Sequence, residues 1–134
     1  MPSLFDASAL ANLIIKRGQR ALELTKGNFA LDLTGYEVGN ALWRLCLLEK
    51  RISHEEADGF LSTVSDFLNL LQIISFAELD SKRILSLAIS KRLTFYDASY
   101  IVAAETKRIT LVTDDEDLTE IAEEFVETKT SAKA

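Results

Sequence analysis

Phe95-Tyr96-Asp97-Ala98-Ser99-Tyr100-Ile101-Val102-Ala103-Ala104 is the stretch around which the rest of the chain is organised. It is long, apolar and rich in small residues, with one carboxylate near its start. Ser99 aside, it is apolar on all sides, which predicts a helix buried between other elements. Thr94 stands at the N-cap position and puts Asp97 in the first helical turn. A carboxylate there is costly to bury unless a cation meets it.

Short apolar runs alternate with helical patterns on either side of this helix. Ser3-Leu4-Phe5 reads as a buried strand ending at Asp6, and Leu10, Leu13 and Ile14 then fall at helical spacing. Gly18 interrupts that pattern, and Gln19 to Thr25 resumes it. Lys26-Gly27-Asn28 is a turn before a second strand, Phe29 to Leu33. Thr34 and Gly35 open a helix over 36–50, with Val38, Ala41, Leu42, Leu45 and Leu48 as its stripe and Glu37 in its first turn. Ser53 and Glu56 form a capping box for the next helix, which runs through Phe60, Val64, Phe67 and Leu71. Gln72 to Phe76 is a third strand. A helix over 79–93 turns Ile84, Leu85, Ala88 and Ile89 inward. After the central helix, Ile109 to Val112 and Thr113 form the clearest strand, which stops at Asp114-Asp115-Glu116-Asp117. A short helix through Leu118 and Ile121 follows, and Phe125-Val126 is the candidate last strand. The expected domain is residues 1–126, with 127–134 as a polar, frayed tail.

Hairpin signals are absent, so the alternation implies an α/β fold: a parallel sheet covered by helices on both faces. Ligands in such sheets bind beyond the carboxyl ends of the strands. Asp6 and Asp115 stand at such ends. Glu37 and Asp97 stand at helix starts that can face the same rim.

The chain has 134 residues, 15 Lys and Arg against 21 Asp and Glu, a net charge of −6 and a pI near 4.8. This balance argues against a broad phosphate-binding surface but leaves nucleic acid open as a substrate, because metal ions supply local positive charge. The single cysteine, Cys46, excludes an intrachain disulfide and reads as a small core residue. No signal-peptide pattern and no membrane-length apolar run occur, which predicts a cytoplasmic protein. His54 is the only histidine and lies in the Ser53 capping box, so it reads as exposed and structural.

Taken singly, each acid has a bland explanation. Thr34-x-x-Glu37 and Thr94-x-x-Asp97 fit capping boxes, and first-turn acids complement the helix dipole. The Asp114–Asp117 run also fits a solvated loop. Together they are more specific, because carboxylates packed at one edge repel until one protonates or a cation enters. Oxygen-rich sites of this kind suit Mg²⁺ or Mn²⁺.

The order of these pieces resembles the PIN domain, and within it the VapC-type toxins of toxin–antitoxin pairs. The resemblance rests on Phe5-Asp6-Ala7-Ser8, Tyr36-Glu37-Val38-Gly39-Asn40-Ala41-Leu42, Tyr96-Asp97-Ala98-Ser99-Tyr100 and Leu111-Val112-Thr113-Asp114-Asp115, and it covers almost the whole chain. It implies a three-layer sandwich and a metal-dependent ribonuclease. It makes Asp6, Glu37, Asp97 and Asp115 the acidic constellation, with Asp6 and Asp97 as direct metal ligands. Asp115 and Glu37 would act directly or through metal-bound water, Glu37 also accepting a proton. The family's Thr/Ser-x-Asp element falls on Thr113-Asp114-Asp115, which selects Asp115 over Asp114. Asp117 would be a further ligand or a supporting acid. Ser8 and Thr113 match positions whose hydroxyls orient the carboxylates. Gly35 is a minor departure from the family pattern.

The resemblance further implies an RNA substrate, a cognate antitoxin and a homodimer. Trp43, Leu47, Phe60 and Phe67 are candidates for the partner surfaces or, equally, for the core. An antitoxin Arg or Lys would block an acidic pocket. Rival readings are a catalytically silent PIN-fold binding module and a phosphoacceptor domain. The second lacks an acid after the strand at Gln72–Phe76 and a Lys after Val112.

Overall fold

The computed structural model describes residues 2–134. Five strands form one parallel sheet: β1 (Ser3–Phe5), β2 (Phe29–Leu31), β3 (Gln72–Ile74), β4 (Thr110–Val112) and β5 (Thr128–Lys129), in the order β3-β2-β1-β4-β5. The helices are α1 (Ala7–Arg17), α2 (Thr34–Trp43), α3 (His54–Leu70), α4 (Ser81–Lys91), α5 (Phe95–Lys107) and α6 (Glu116–Ala122). The result is a three-layer α/β sandwich, as the alternation of elements predicted.

Period-2 alternation in the strands divides the core into two. Leu4, Leu31, Ile74 and Leu111 face a cluster completed by α4, α5 and α6. Phe5, Ala30 and Val112 face a second cluster completed by α1, α2 and α3. The central helix α5 is buried from Ala98 to Ala104, and Thr94 caps it by accepting the Asp97 N–H at 3.0 Å.

Sheet order explains where a site can form. From β1 the chain winds outward through β2 to β3, then returns to β4 on the other side of β1. The crevice between the carboxyl ends of β1 and β4 is therefore the topological switch point. Asp6 follows β1, and Asp115 closely follows β4. α5 runs directly into β4 through a left-handed residue, Arg108, with φ 57°. The helix therefore lies antiparallel to that strand and brings Asp97 back to the same edge.

Several local expectations are corrected. Thr34 does not cap α2; Leu33 holds that position, while the Thr34 hydroxyl turns inward and accepts the Leu31 N–H at 3.1 Å. The helix expected over 36–50 ends as α-helix at Trp43 and continues as a π-helical turn, Arg44–Leu48. Cys46, in that turn, is half-buried rather than core, and Leu48 is exposed. In α4 the inward face is Ile84, Leu87 and Ala88. Leu85 and Ile89 lie one residue beyond it, about 100° around the helix, and are exposed. Phe125 and Val126 are not a strand: both amides turn back to Ala122 O at 2.9 Å, and both side chains pack on the core. The ladder starts later, at Thr128. The segment after Glu127 is not frayed: it supplies β5, and Ser131 is buried. Gly35, the departure noted above, sits where a Cβ would stand 3.2 Å from Leu68 Cδ1, so close α2–α3 packing favours glycine.

Candidate active site

Asp6 is fixed from every side. As N-cap of α1 its Oδ1 accepts the Ala9 N–H at 2.9 Å, and the Ser8 hydroxyl donates to the same oxygen at 2.8 Å. The Thr113 hydroxyl donates to Oδ2. Ser8 Oγ in turn accepts the Asp114 N–H, and Thr113 Oγ1 accepts the Asp115 N–H, each at 3.1 Å. These two hydroxyls therefore tie the loop after β4 to the carboxylate after β1. Asp6 is only 5% exposed. Burial pushes its carboxyl above the usual range, against the pull of Thr113, Ala9 and Ser8.

Glu37, in the first turn of α2, and Asp97, in the first turn of α5, are half-buried acids. The Tyr100 hydroxyl donates to Glu37 Oε1 at 2.7 Å. Burial raises the Glu37 carboxyl despite that bond, and the charges of Asp97 and Asp6 raise it further. Burial likewise raises Asp97, with the charges of Asp115 and Asp6 adding to it and the Thr94 hydroxyl opposing. Asp115 is the N-cap of α6, accepting the Asp117 and Leu118 amides at 2.9 and 3.2 Å.

Asp6, Glu37, Asp97 and Asp115 all line one cavity of about 560 Å³, together with Ser8 and Tyr100. Among the described residues no basic side chain lines it. One wall is apolar, formed by Val38, Leu42, Leu45, Ile52 and Phe60. Asp117 lies outside this lining; it is exposed on the first turn of α6. Asp114 is also elsewhere. Its carboxylate accepts Asn12 Nδ2 and the Ser131 N–H, both at 2.7 Å, and the Ser131 hydroxyl. Burial tends to raise Asp114, but these bonds and the nearby Lys16 charge hold it below the usual range.

A divalent cation fits this donor set. Burial raises Asp6, Glu37 and Asp97, neighbouring acids raise Glu37 and Asp97 further, and the set presents the oxygen ligands that Mg²⁺ and Mn²⁺ prefer. Among the described residues, no group of three acids is drawn close enough to be a ready-made set of direct ligands.

Tyr100 is a cavity residue whose role sequence reasoning missed, and Glu56, read only as the capping acid of α3, lines the cavity too. Tyr100 counted as apolar bulk in a buried helix, although a buried phenol needs a hydrogen-bond partner and so points to a polar neighbour. His54 is exposed, 3.5 Å from Asp58, and does not line the cavity.

The chain is similar to known proteins over most of its length. The PIN domain model matches residues 4–124. Ribonuclease VapC3 of Pyrobaculum aerophilum is 33% identical over 125 residues, covering 90% of this chain and 94% of the relative. Exonuclease VapC9 of the same organism is 40% identical over 88 residues, covering 66% of this chain and 62% of the relative. The crystal structure of PAE2754, also from P. aerophilum, superposes with a TM-score of 0.80 at 29% identity, over 99% of this chain and 94% of that one. The chain belongs to the PIN-domain family and is of the VapC type.

Proposed function

We propose that the acidic cavity is the active site of a ribonuclease toxin dependent on Mg²⁺ or Mn²⁺. The observation that carries this reading is a ring of Asp6, Glu37, Asp97 and Asp115 around one cavity that no basic side chain lines among the described residues. The relatives named as a ribonuclease and an exonuclease support it. Bound there, the cation would supply Lewis-acid polarisation of a phosphodiester and lower the pKa of water. Asp6 and Asp97 are assigned as the residues that hold it, Asp6 locked in position by Ser8 and Thr113. Asp115, whose charge acts on Asp97, would contribute directly or through metal-bound water. Glu37 offers its second oxygen, Oε2, to take a proton from an attacking water, while Tyr100 holds Oε1.

An RNA cleavage assay with Mg²⁺ or Mn²⁺, comparing the parent with Asp6→Asn and Asp97→Asn, tests this reading. Cleavage by the parent that is lost in both variants is expected. Undiminished cleavage in both overturns the site, and an inert parent in either metal favours the silent binding module.

The partner proposals rest on the same chain. The acidic cavity and its apolar wall suit an antitoxin segment carrying an Arg or Lys, and inhibition on titration with the cognate antitoxin tests that. Phe76, Phe95 and Tyr96 stay exposed around a recess with Leu33 and Leu79. That face supports a homodimer, which sedimentation equilibrium tests; a monomer at micromolar concentration counts against it. No helix among the described residues is long and apolar enough to cross a membrane.

A further inference from the structure

We propose that the C-terminal end of α1 and the 3₁₀ segment after it, Gly18–Leu24, form a second contact surface for RNA, in which Lys16, Arg17 and Arg20 hold the phosphates of the strand flanking the acidic cavity. This rests on the ribonuclease reading. The chain is acidic overall, with 21 acids to 15 bases, yet these three cations share one recess of about 530 Å³, with Glu23 and Leu24. All three are exposed. Among the described residues none is in an ion pair. Arg17 makes only a long bond to Ala132 O, at 3.4 Å, and Lys16 also acts on the Asp114 carboxylate.

The recess and the acidic cavity share a helix. Ala7, Ser8, Ala11 and Ile15 line the cavity from one face of α1, and Lys16 follows directly. From Asp6 to Arg17 the helix axis rises about 16 Å at 1.5 Å per residue. At about 3.4 Å per stacked nucleotide, that span covers no more than about five nucleotides. An RNA strand entering a carboxylate-lined cavity is repelled until a cation is bound there. Cations a short way along the strand offset that repulsion, and arginines do so with bidentate phosphate contacts.

Fluorescence anisotropy with a labelled 12-nucleotide single-stranded RNA, in EDTA so that no cleavage intervenes, tests the surface. Each lost phosphate contact flattens the slope of log K against log salt by about 0.7, so Lys16→Gln/Arg17→Gln/Arg20→Gln is expected to flatten it by about 2. Arg20→Gln alone, which spares α1, is expected to flatten it by about 0.7. Lys82→Gln/Arg92→Gln, on α4 and its C-cap across the sheet, is expected to leave the slope unchanged. A triple variant with the parent slope, or a parent that does not bind RNA, overturns the proposal. Cleavage in Mg²⁺ is read separately. A parent that binds through this end but never cuts sinks the ribonuclease reading and supports the surface. A parent that cuts while the triple variant binds with the parent slope does the reverse.

Discussion

The Tyr100 hydroxyl donates to Glu37 Oε1 at 2.7 Å, and it stands 2.8 Å from Thr34 Oγ1. Thr34 Oγ1 already accepts the Leu31 N–H. A phenol has one proton, so the direction of the chain is fixed: Leu31 N–H to Thr34, Thr34 to Tyr100, Tyr100 to Glu37. Such a chain polarises along its length and pins one oxygen of the acid. Tyr100→Phe removes the donor to Glu37 and leaves the buried Thr34 hydroxyl without its acceptor. The expected loss is about 1–3 kcal/mol of stability, with weaker Mn²⁺ binding. Thermal unfolding and a calorimetric Mn²⁺ titration check this. Parent-like values in both would mean that Tyr100 does not position Glu37.

Stability should also depend on pH through the site. Asp6, Glu37 and Asp97 all have folded-state pKa values raised above their ordinary 3.8 to 4.5. The fold therefore holds protons that the unfolded chain has released. Metal-free protein should be more stable below the ordinary values, lose stability as pH rises from there through the raised folded values, and level off above them. A divalent cation binds the ionised folded form and should flatten this slope at neutral pH. Thermal melts across pH 4–8, with EDTA and with Mn²⁺, check it; identical curves would remove the coupled acids from the account.

The two proposed ligands should respond differently to amide substitution. Asp6 accepts three donors, from Ser8, Ala9 and Thr113. Asn places an NH₂ against at least one of them, so Asp6→Asn should cost about 1–3 kcal/mol of stability. Asp97 is opposed by the charges of Asp115 and Asp6, so Asp97→Asn should stabilise the metal-free protein. Both should cut less RNA, by about a hundredfold or more. Melts in EDTA beside a cleavage assay separate the effects. If both variants melt together, the contrast between a locked and a loosely held carboxylate is wrong.

Much of this was legible in the chain. The α5 sequence predicted a buried helix with an acid in its first turn, and Thr94 caps it as expected. The acids at strand ends were readable because a parallel sheet sends its carboxyl ends to one edge. Partners made through space were not readable. Thr34 looked like a cap, but a capping hydroxyl and one that reaches a phenol 66 positions away have the same local sequence. The C-terminal segment looked polar and loose because its order depends on one distant acid, Asp114, and on pairing with β4. In α4 the missed face was a matter of phase, since Leu85 and Ile89 sit beside the true stripe and are as apolar as it is.

That distant acid gives the sharpest separation between fold and chemistry. Asp114 and Asp115 are neighbours, yet one clasps Asn12 and Ser131 while the other caps α6 and lines the cavity. Asp114→Ala removes the acceptor for Asn12 and for both Ser131 donors, and so frees the C-terminal segment from α1. The expected cost is about 2 kcal/mol, with cleavage per folded molecule kept within a few fold. Asp115→Asn keeps a good N-cap, so stability should move by no more than about 0.5 kcal/mol. It should nonetheless lose cleavage, because the cavity loses a charge. Denaturant melts paired with RNA cleavage check both variants. If Asp114→Ala abolishes cleavage in fully folded protein while Asp115→Asn retains it, the two carboxylates have been assigned the wrong way round.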